Sequence, residues 1–363
     1  MARYFNGTFS SLLKQLEEHI ARAKAYFDTD ESTSIEALVL GGGYGRGEGG
    51  VFVDGDTPKL FNDLDYFLFT ESPEDDALRK RVKAFERTES EALSIDVEVT
   101  CVSPGNLKNA ESSMMFHDLI MGHLVVVGPD DYLAKWHSKM DPKLIHKVEA
   151  TRLLWNRGSG LFFARCKLEV SGAEDFIYRQ HMKLALALGD AVLCISGQHN
   201  AFCETRKQLV AALEHPLLTD EIRQLHATGV DFKQRPVEPP MSLDLKGQND
   251  RLRSLWLDVY LAVEGERLGR SFGSADQYAK ANERLFPDES PLRCLALALR
   301  DRLKRGAALQ PYTDYPRGAL MRALVQLNAE TPDFVQVGKN LPIENTEWNA
   351  IYNIYEVWWG YYS

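Results

Sequence analysis

The sequence predicts an α+β fold: a small domain of strands and helices over residues 1–138, begun by an N-terminal helix, and an all-helical region over residues 139–363. Two observations predict it. Short β-rich runs separated by loops and one helical pattern occupy the first part, and after about residue 138 the strand signals stop and helical periodicity takes over. A chain of 363 residues, 44% of them hydrophobic, is long enough to bury two or three cores, so two regions of different class are sustainable.

The elements follow in order. Residues 9–27 place Phe9, Leu12, Leu13, Leu16, Ile20 and Phe27 at helical spacing, which predicts one amphipathic helix. Ala37–Leu40, Tyr66–Phe69 and Ser94–Val102 are short β-rich runs, with a helix expected over Arg79–Leu93 between the last two. A further run, His123–Val127, is closed by Gly128 and Pro129. Helices are then expected over Leu144–Leu168, Ala173–Ser196, Phe202–Leu213, Arg251–Arg267, Ser290–Leu309, Arg317–Asn328 and Glu347–Gly360. The proline-bearing segment Arg235–Gly247 is the linker candidate that divides the helical region. In the last helix Trp348, Ile351, Tyr352, Tyr355, Trp358 and Trp359 recur at helical spacing, a pattern that fits core rather than a stacking platform.

Composition narrows the function classes. No stretch approaches the roughly 18 apolar residues that span a bilayer, and MARYFNGTFSS lacks the basic start and apolar core of a signal peptide, so a cytoplasmic protein without a membrane partner is expected. Cys101, Cys166, Cys194, Cys203 and Cys294 form no CxxC pair and lie in core-like segments, which predicts reduced, buried thiols. Residues 1–130 hold 12 Lys and Arg against 23 Asp and Glu, and the remainder 30 against 29. The acidity therefore sits in the first region, where it repels a phosphate backbone and disfavours extended nucleic-acid binding.

That region also carries the chemistry. Gly45, Gly47 and Gly50 spell G-x-G-x-x-G, but a dinucleotide fingerprint needs a helix straight after it, and VFVDGDTPKLFND is turn-rich instead. No GK[ST] is present, so a P-loop is excluded. What remains is a strand, a glycine turn able to bring backbone N–H groups close to an anion, and a second strand with Asp63 and Asp65. Period-2 alternation puts both carboxylates on one face, where they repel unless a cation intervenes. Ile95-Asp96-Val97-Glu98-Val99 offers two more on the next strand, again sharing a face. Several carboxylates around Mg²⁺, which takes oxygen ligands and keeps positions for substrate phosphates, suit phosphoryl or nucleotidyl transfer.

Glycine turn, D-x-D strand and later acidic strand together resemble the DNA polymerase β-like nucleotidyltransferase superfamily. Gly42-Gly43-Tyr44-Gly45-Arg46-Gly47-Glu48 further resembles the GGYGRGE stretch opening the transferase domain of bacterial uridylyltransferases that act on the nitrogen-regulatory signal protein. Here about nine extra residues, roughly 49–59, precede the aspartate pair. No companion phosphohydrolase or sensing domain is recognisable, and His117-Asp118 lacks the further histidine and aspartate spacing of such a phosphohydrolase.

The resemblance implies a small mixed-sheet nucleotidyltransferase domain ahead of a helical substrate- or nucleotide-binding region. It implies that Gly42 and Gly43 cradle the phosphates of an NTP such as ATP, and that Asp63, Asp65 and Asp96 hold Mg²⁺ or Mn²⁺. Asp96, framed by Ile95 and Val97, would also help deprotonate the attacking hydroxyl. Arg46 either offsets phosphate charge or pairs with Glu48. Superfamily members draw a triphosphate-binding lysine from a helical domain; Lys183, on a face shared with Arg179 and Asp190, is the candidate, and Asn156-Arg157 a lesser one. The expected reaction transfers NMP from an NTP to a hydroxyl of a small molecule or a protein. A catalytically inactive nucleotide-binding regulator and the nucleotidyltransferase half of a toxin–antitoxin system are the alternatives. The helical region lacks the Arg and His spacing of the nuclease that accompanies such toxins.

Overall fold

The computed structural model describes residues 4–28, 35–55, 57–281, 283–343 and 347–362. The fold is α+β, and the chain divides into two compact units. The first comprises Met1–Glu149, Leu193–His215 and His226–Glu238; the second comprises Ala150–Val192, Pro216–Leu225 and Pro239–Ser363.

The first unit runs α1 (Ser10–Phe27), β1 (Ile35–Leu40), the single turn α2 (Gly42–Gly45), β2 (Val51–Asp54), β3 (Thr57–Leu60), β4 (Leu64–Thr70), α3 (Asp76–Leu93), β5 (Val97–Val102), α4 (Met114–Met121) and β6 (Leu124–Val127). Its main sheet has the order β5-β4-β1-β6. β1 pairs antiparallel with β4 and β6, and β4 pairs parallel with β5. Parallel neighbours need a crossover, which α3 supplies.

The expected strands are continuous apolar runs because both faces of the sheet are covered. Leu38, Leu40, Tyr66, Leu68, Val97 and Val99 pack with Leu12, Leu16 and Phe27 of α1 and Val82 and Phe85 of α3. The alternate residues Ala37, Val39, Phe67, Phe69 and Val102 pack with Leu119 and Ile120 of α4. Fully burying one such aromatic or aliphatic side chain contributes about 1.5–3 kcal/mol. A buried polar link ties the first layer together. His19 Nδ1 meets Glu89 Oε2 at 2.7 Å, its Nε2 meets Tyr66 Oη at 2.9 Å, and Arg22 donates to both Glu89 oxygens.

Among the elements just named, the hairpin β2–β3 and α4 differ from expectation. The segment read as turn-rich contains the antiparallel hairpin β2–β3, in which Val51 faces Leu60 and Val53 faces Pro58. Only Val51 and Leu60 of it are buried, so no apolar alternation marks it, and Pro58 argues against a strand. α4 was unmarked for the same kind of reason: His117 is one of its buried residues.

The remaining helices are α5 (Val148–Cys166), α6 (Glu174–Ile195), α7 (Cys203–Ala212), α8 (Asp220–Gln234), α9 (Leu245–Leu268), α10 (Ala275–Ala279), α11 (Pro291–Arg305), α12 (Pro316–Leu327), α13 (Phe334–Asn340) and α14 (Trp348–Tyr362). The proline-bearing segment separates α8 from α9, and the division between units falls within it, after Glu238. In the second unit every residue of α12 except Arg317 is buried, which makes it a central helix. α14 buries Ile351, Tyr355, Trp358 and Tyr362, and Tyr355 Oη accepts a hydrogen bond from Trp155 Nε1 at 3.1 Å, so this aromatic stretch is core. All five cysteines are free; Cys194, Cys203 and Cys294 are buried, whereas Cys101 and Cys166 are half-buried. Among the described residues no helix is long and apolar enough to cross a membrane.

Candidate functional site

The parallel register of β4 and β5 assembles the carboxylates. Leu64 lies opposite Val97 and Asp65 opposite Glu98. Leu64 N–H donates to Asp96 C=O at 2.9 Å, so Asp63 and Asp96 enter their strands side by side, one residue before the first paired position. Leu64, Tyr66, Val97 and Val99 fill the core with α1 and α3, which turns Asp63, Asp65, Asp96 and Glu98 to the opposite face. Asp65 is half-buried; Asp63, Asp96 and Glu98 are exposed.

Proximity has an electrostatic consequence. Burial, then the charges of Asp63 and Glu98, push the Asp65 carboxyl up to about 6, against the opposing pull of Arg46 and Lys233. Burial, then Asp63 and Asp96, also raise Glu98. Burial and like charge thus make Asp65 costly to ionise despite the two cations, a condition a divalent cation relieves. An all-oxygen donor set of this kind suits Mg²⁺ or Mn²⁺.

The glycine turn abuts this cluster. β1 ends at Leu40, and Gly41 N–H donates to Asp65 C=O at 2.8 Å. Gly42 has φ +58°, and a Cβ built on it would lie 2.1 Å from Asp65 Oδ2, so only glycine fits between turn and carboxylate. Gly43 O accepts from Glu48 N–H at 2.8 Å, which closes the loop back on itself. Tyr44 is structural: its buried hydroxyl donates to Gly50 C=O at 2.8 Å and accepts from Phe61 N–H at 3.1 Å. Asn62 Oδ1 accepts from Gly50 N–H at 2.6 Å, so the turn is tied to the residues just ahead of Asp63.

Two cations face Asp65. Arg46, its side chain almost fully buried, lies with its Nε 3.8 Å from Glu48 Oε2, the loose pairing that was one of its two expected roles, while its charge reaches Asp65. Glu48 is itself fixed by Cys203 N–H, at 2.9 and 3.1 Å to its two oxygens. The second cation is Lys233, near the end of α8, whose Nζ also donates to Cys203 Sγ at 3.2 Å. Sequence reasoning missed Lys233 because it expected no helix over α8. A signal existed in Thr219, whose Oγ1 accepts from Ile222 N–H at 3.3 Å ahead of an acidic first turn. Lys183 is exposed on α6 in the second unit, and Asn156 and Arg157 lie on α5 of that unit, exposed and half-buried respectively.

Among the described residues, the three His, Cys, Asp or Glu side chains whose ligand atoms converge to within 4.8 Å are His117, Asp118 and His199, outside the carboxylate cluster. The four carboxylates are spread more widely, as like charges on neighbouring strands are driven to be. No protein-family model matches the chain, and no curated protein matches it significantly.

Proposed function

We propose that the chain is a metal-dependent nucleotidyltransferase that moves NMP from an NTP to a hydroxyl acceptor and releases pyrophosphate. The observation that carries this reading is the register that sets Asp65 beside Glu98 and next to Asp63, with Gly42 packed against the Asp65 carboxylate. The resemblance to the polymerase β-like superfamily, carried by Gly42, Gly43, Asp63, Asp65 and Asp96, points to the same chemistry.

In this account Asp63, Asp65 and Glu98, with Asp96 beside them, hold the divalent ions. Such ions, when bound, neutralise the triphosphate and make a hydroxyl a better nucleophile. The protein's own groups do the rest. The backbone N–H groups of Gly42 and Gly43 would approach the phosphates, neither residue carrying a side chain of its own. Arg46 and Lys233 contribute positive charge beside Asp65. The acceptor oxygen bonds to the α-phosphorus, the bond to pyrophosphate breaks, and the hydroxyl proton passes to a carboxylate oxygen of the cluster.

The acidity of the first region favours a neutral or cationic small molecule or a protein hydroxyl over an extended nucleic acid. The test is incubation of the pure protein with each α-labelled NTP and a cell extract. Label should enter an acceptor with the wild type and not with Asp65→Asn. Size fractionation before and after protease then separates a small-molecule acceptor from a protein. Equal labelling by a folded Asp65→Asn variant would reject the reading.

A further inference from the structure

We propose that His117, Asp118 and His199 form a second metal site, separate from the carboxylate cluster and selective for one divalent transition metal ion of zinc's class. His117 and Asp118 are consecutive on α4, and His199 lies in the loop before α7. His199 Nε2 is 2.7 Å from Asp118 Oδ1, and His117 Nδ1 is 3.6 Å from the same oxygen. One ligand atom of each residue lies within 4.8 Å of the other two. Ligands of a tetrahedral zinc ion, each about 2.0–2.1 Å from it, lie roughly 3.3 Å apart. The separations from Asp118 Oδ1, 2.7 and 3.6 Å, bracket that value.

Three further features support the assignment. His117 Nδ1, the atom 3.6 Å from Asp118 Oδ1, is buried and makes no hydrogen bond among the described residues, whereas His199 would ligate through the Nε2 that already meets Asp118; the two residues are only 3% and 4% exposed. A buried ring nitrogen facing a carboxylate without a hydrogen bond is costly to leave so, and ligation satisfies it. Two imidazoles and one carboxylate suit zinc-class ions, whereas Mg²⁺ and Ca²⁺ prefer oxygen. Asp118 is open enough to solvent, at 20% exposure of its side chain, for an ion to enter.

An ion here would join α4 to the loop that leads into Cys203, whose N–H fixes Glu48 and through it Arg46. It would brace the cationic side of the candidate active site without entering it. The proposal does not depend on nucleotide transfer.

The test uses the full chain, stripped with a chelator and titrated with Zn²⁺ against a chromophoric competitor, and separately loaded with Co²⁺. Wild type and the Asp63→Asn/Asp65→Asn double variant should each bind one tight zinc equivalent. His117→Gln and His199→Gln should bind it at least about 100-fold more weakly, since a direct ligand counts for more than the 10–100-fold that outer partners contribute. Co²⁺ on the wild type should give the intense visible bands of a four-coordinate ion, undiminished by excess Mg²⁺. That spectrum needs no variant to fold. No tight zinc in the wild type, unchanged affinity in a folded His199→Gln, or a weak six-coordinate cobalt spectrum that Mg²⁺ abolishes would each overturn the proposal.

Discussion

Replacing Asp65 by Asn should make the metal-free protein more stable while it abolishes turnover. The carboxyl is moved from an ordinary 3.8 to about 6 by burial and by Asp63 and Glu98. Two units at 1.36 kcal/mol each put the cost of ionising it in the folded state at about 3 kcal/mol. Because the folded pKa is raised, the native state binds the proton more tightly than the unfolded chain does. That contribution is fully present below about pH 4 and is lost as pH rises through about 6. Asparagine keeps the volume and removes the charge. Denaturant unfolding without divalent cation should show the variant about 2–3 kcal/mol more stable at about pH 7.5, the gap closing near pH 4. Added Mg²⁺ should stabilise the wild type and not the variant. A variant less stable than wild type at neutral pH, or a gap independent of pH, would refute the reasoning.

Three other perturbations test the geometry. Glu98 lies opposite Asp65 in register, so Glu98→Gln should lower turnover more than Asp96→Asn; the reverse ranking in steady-state assays would return the third ligand to Asp96, the residue the resemblance implies. Gly42→Ala forces a side chain into φ +58° and against Asp65 Oδ2, and should cost roughly 1–3 kcal/mol in unfolding experiments and nearly all activity. Lys233→Met removes a cation facing Asp65, and should raise the KM for NTP by about 10-fold or more with smaller change in kcat; an unchanged KM would remove Lys233 from the site.

Much of the first unit was legible because its physics is local. Ala37–Leu40 and Tyr66–Phe69 are apolar on both faces, and the strands found there extend them by only a few residues. Alternation alone set Asp63 and Asp65 on one face, with Asp96 and Glu98 likewise paired. It could not choose between the latter two, since both share a face and only the register of β5 on β4 distinguishes them. The hairpin β2–β3 was hidden by its exposed residues and Pro58. Lys233 and His199 were hidden by distance along the chain. Phe232, beside Lys233, packs its ring 5.8 Å from that of Phe61, a tertiary contact with no local sequence signature. His117-Asp118 looked solitary for the same reason: the histidine that completes it arrives from the loop before α7.

Nucleotidyl transfer, as proposed, breaks the bond between the α- and β-phosphates, and a label at each end of the triphosphate follows that bond. The protein is incubated with Mg²⁺, acceptor-containing extract and NTP labelled at either the α- or the γ-phosphate. Acceptor should be labelled from the α position alone, γ-label should be released as pyrophosphate, and a folded Asp65→Asn variant should give neither product. Acceptor labelled from the γ position, or γ-label released as orthophosphate without transfer, would contradict nucleotidyl transfer.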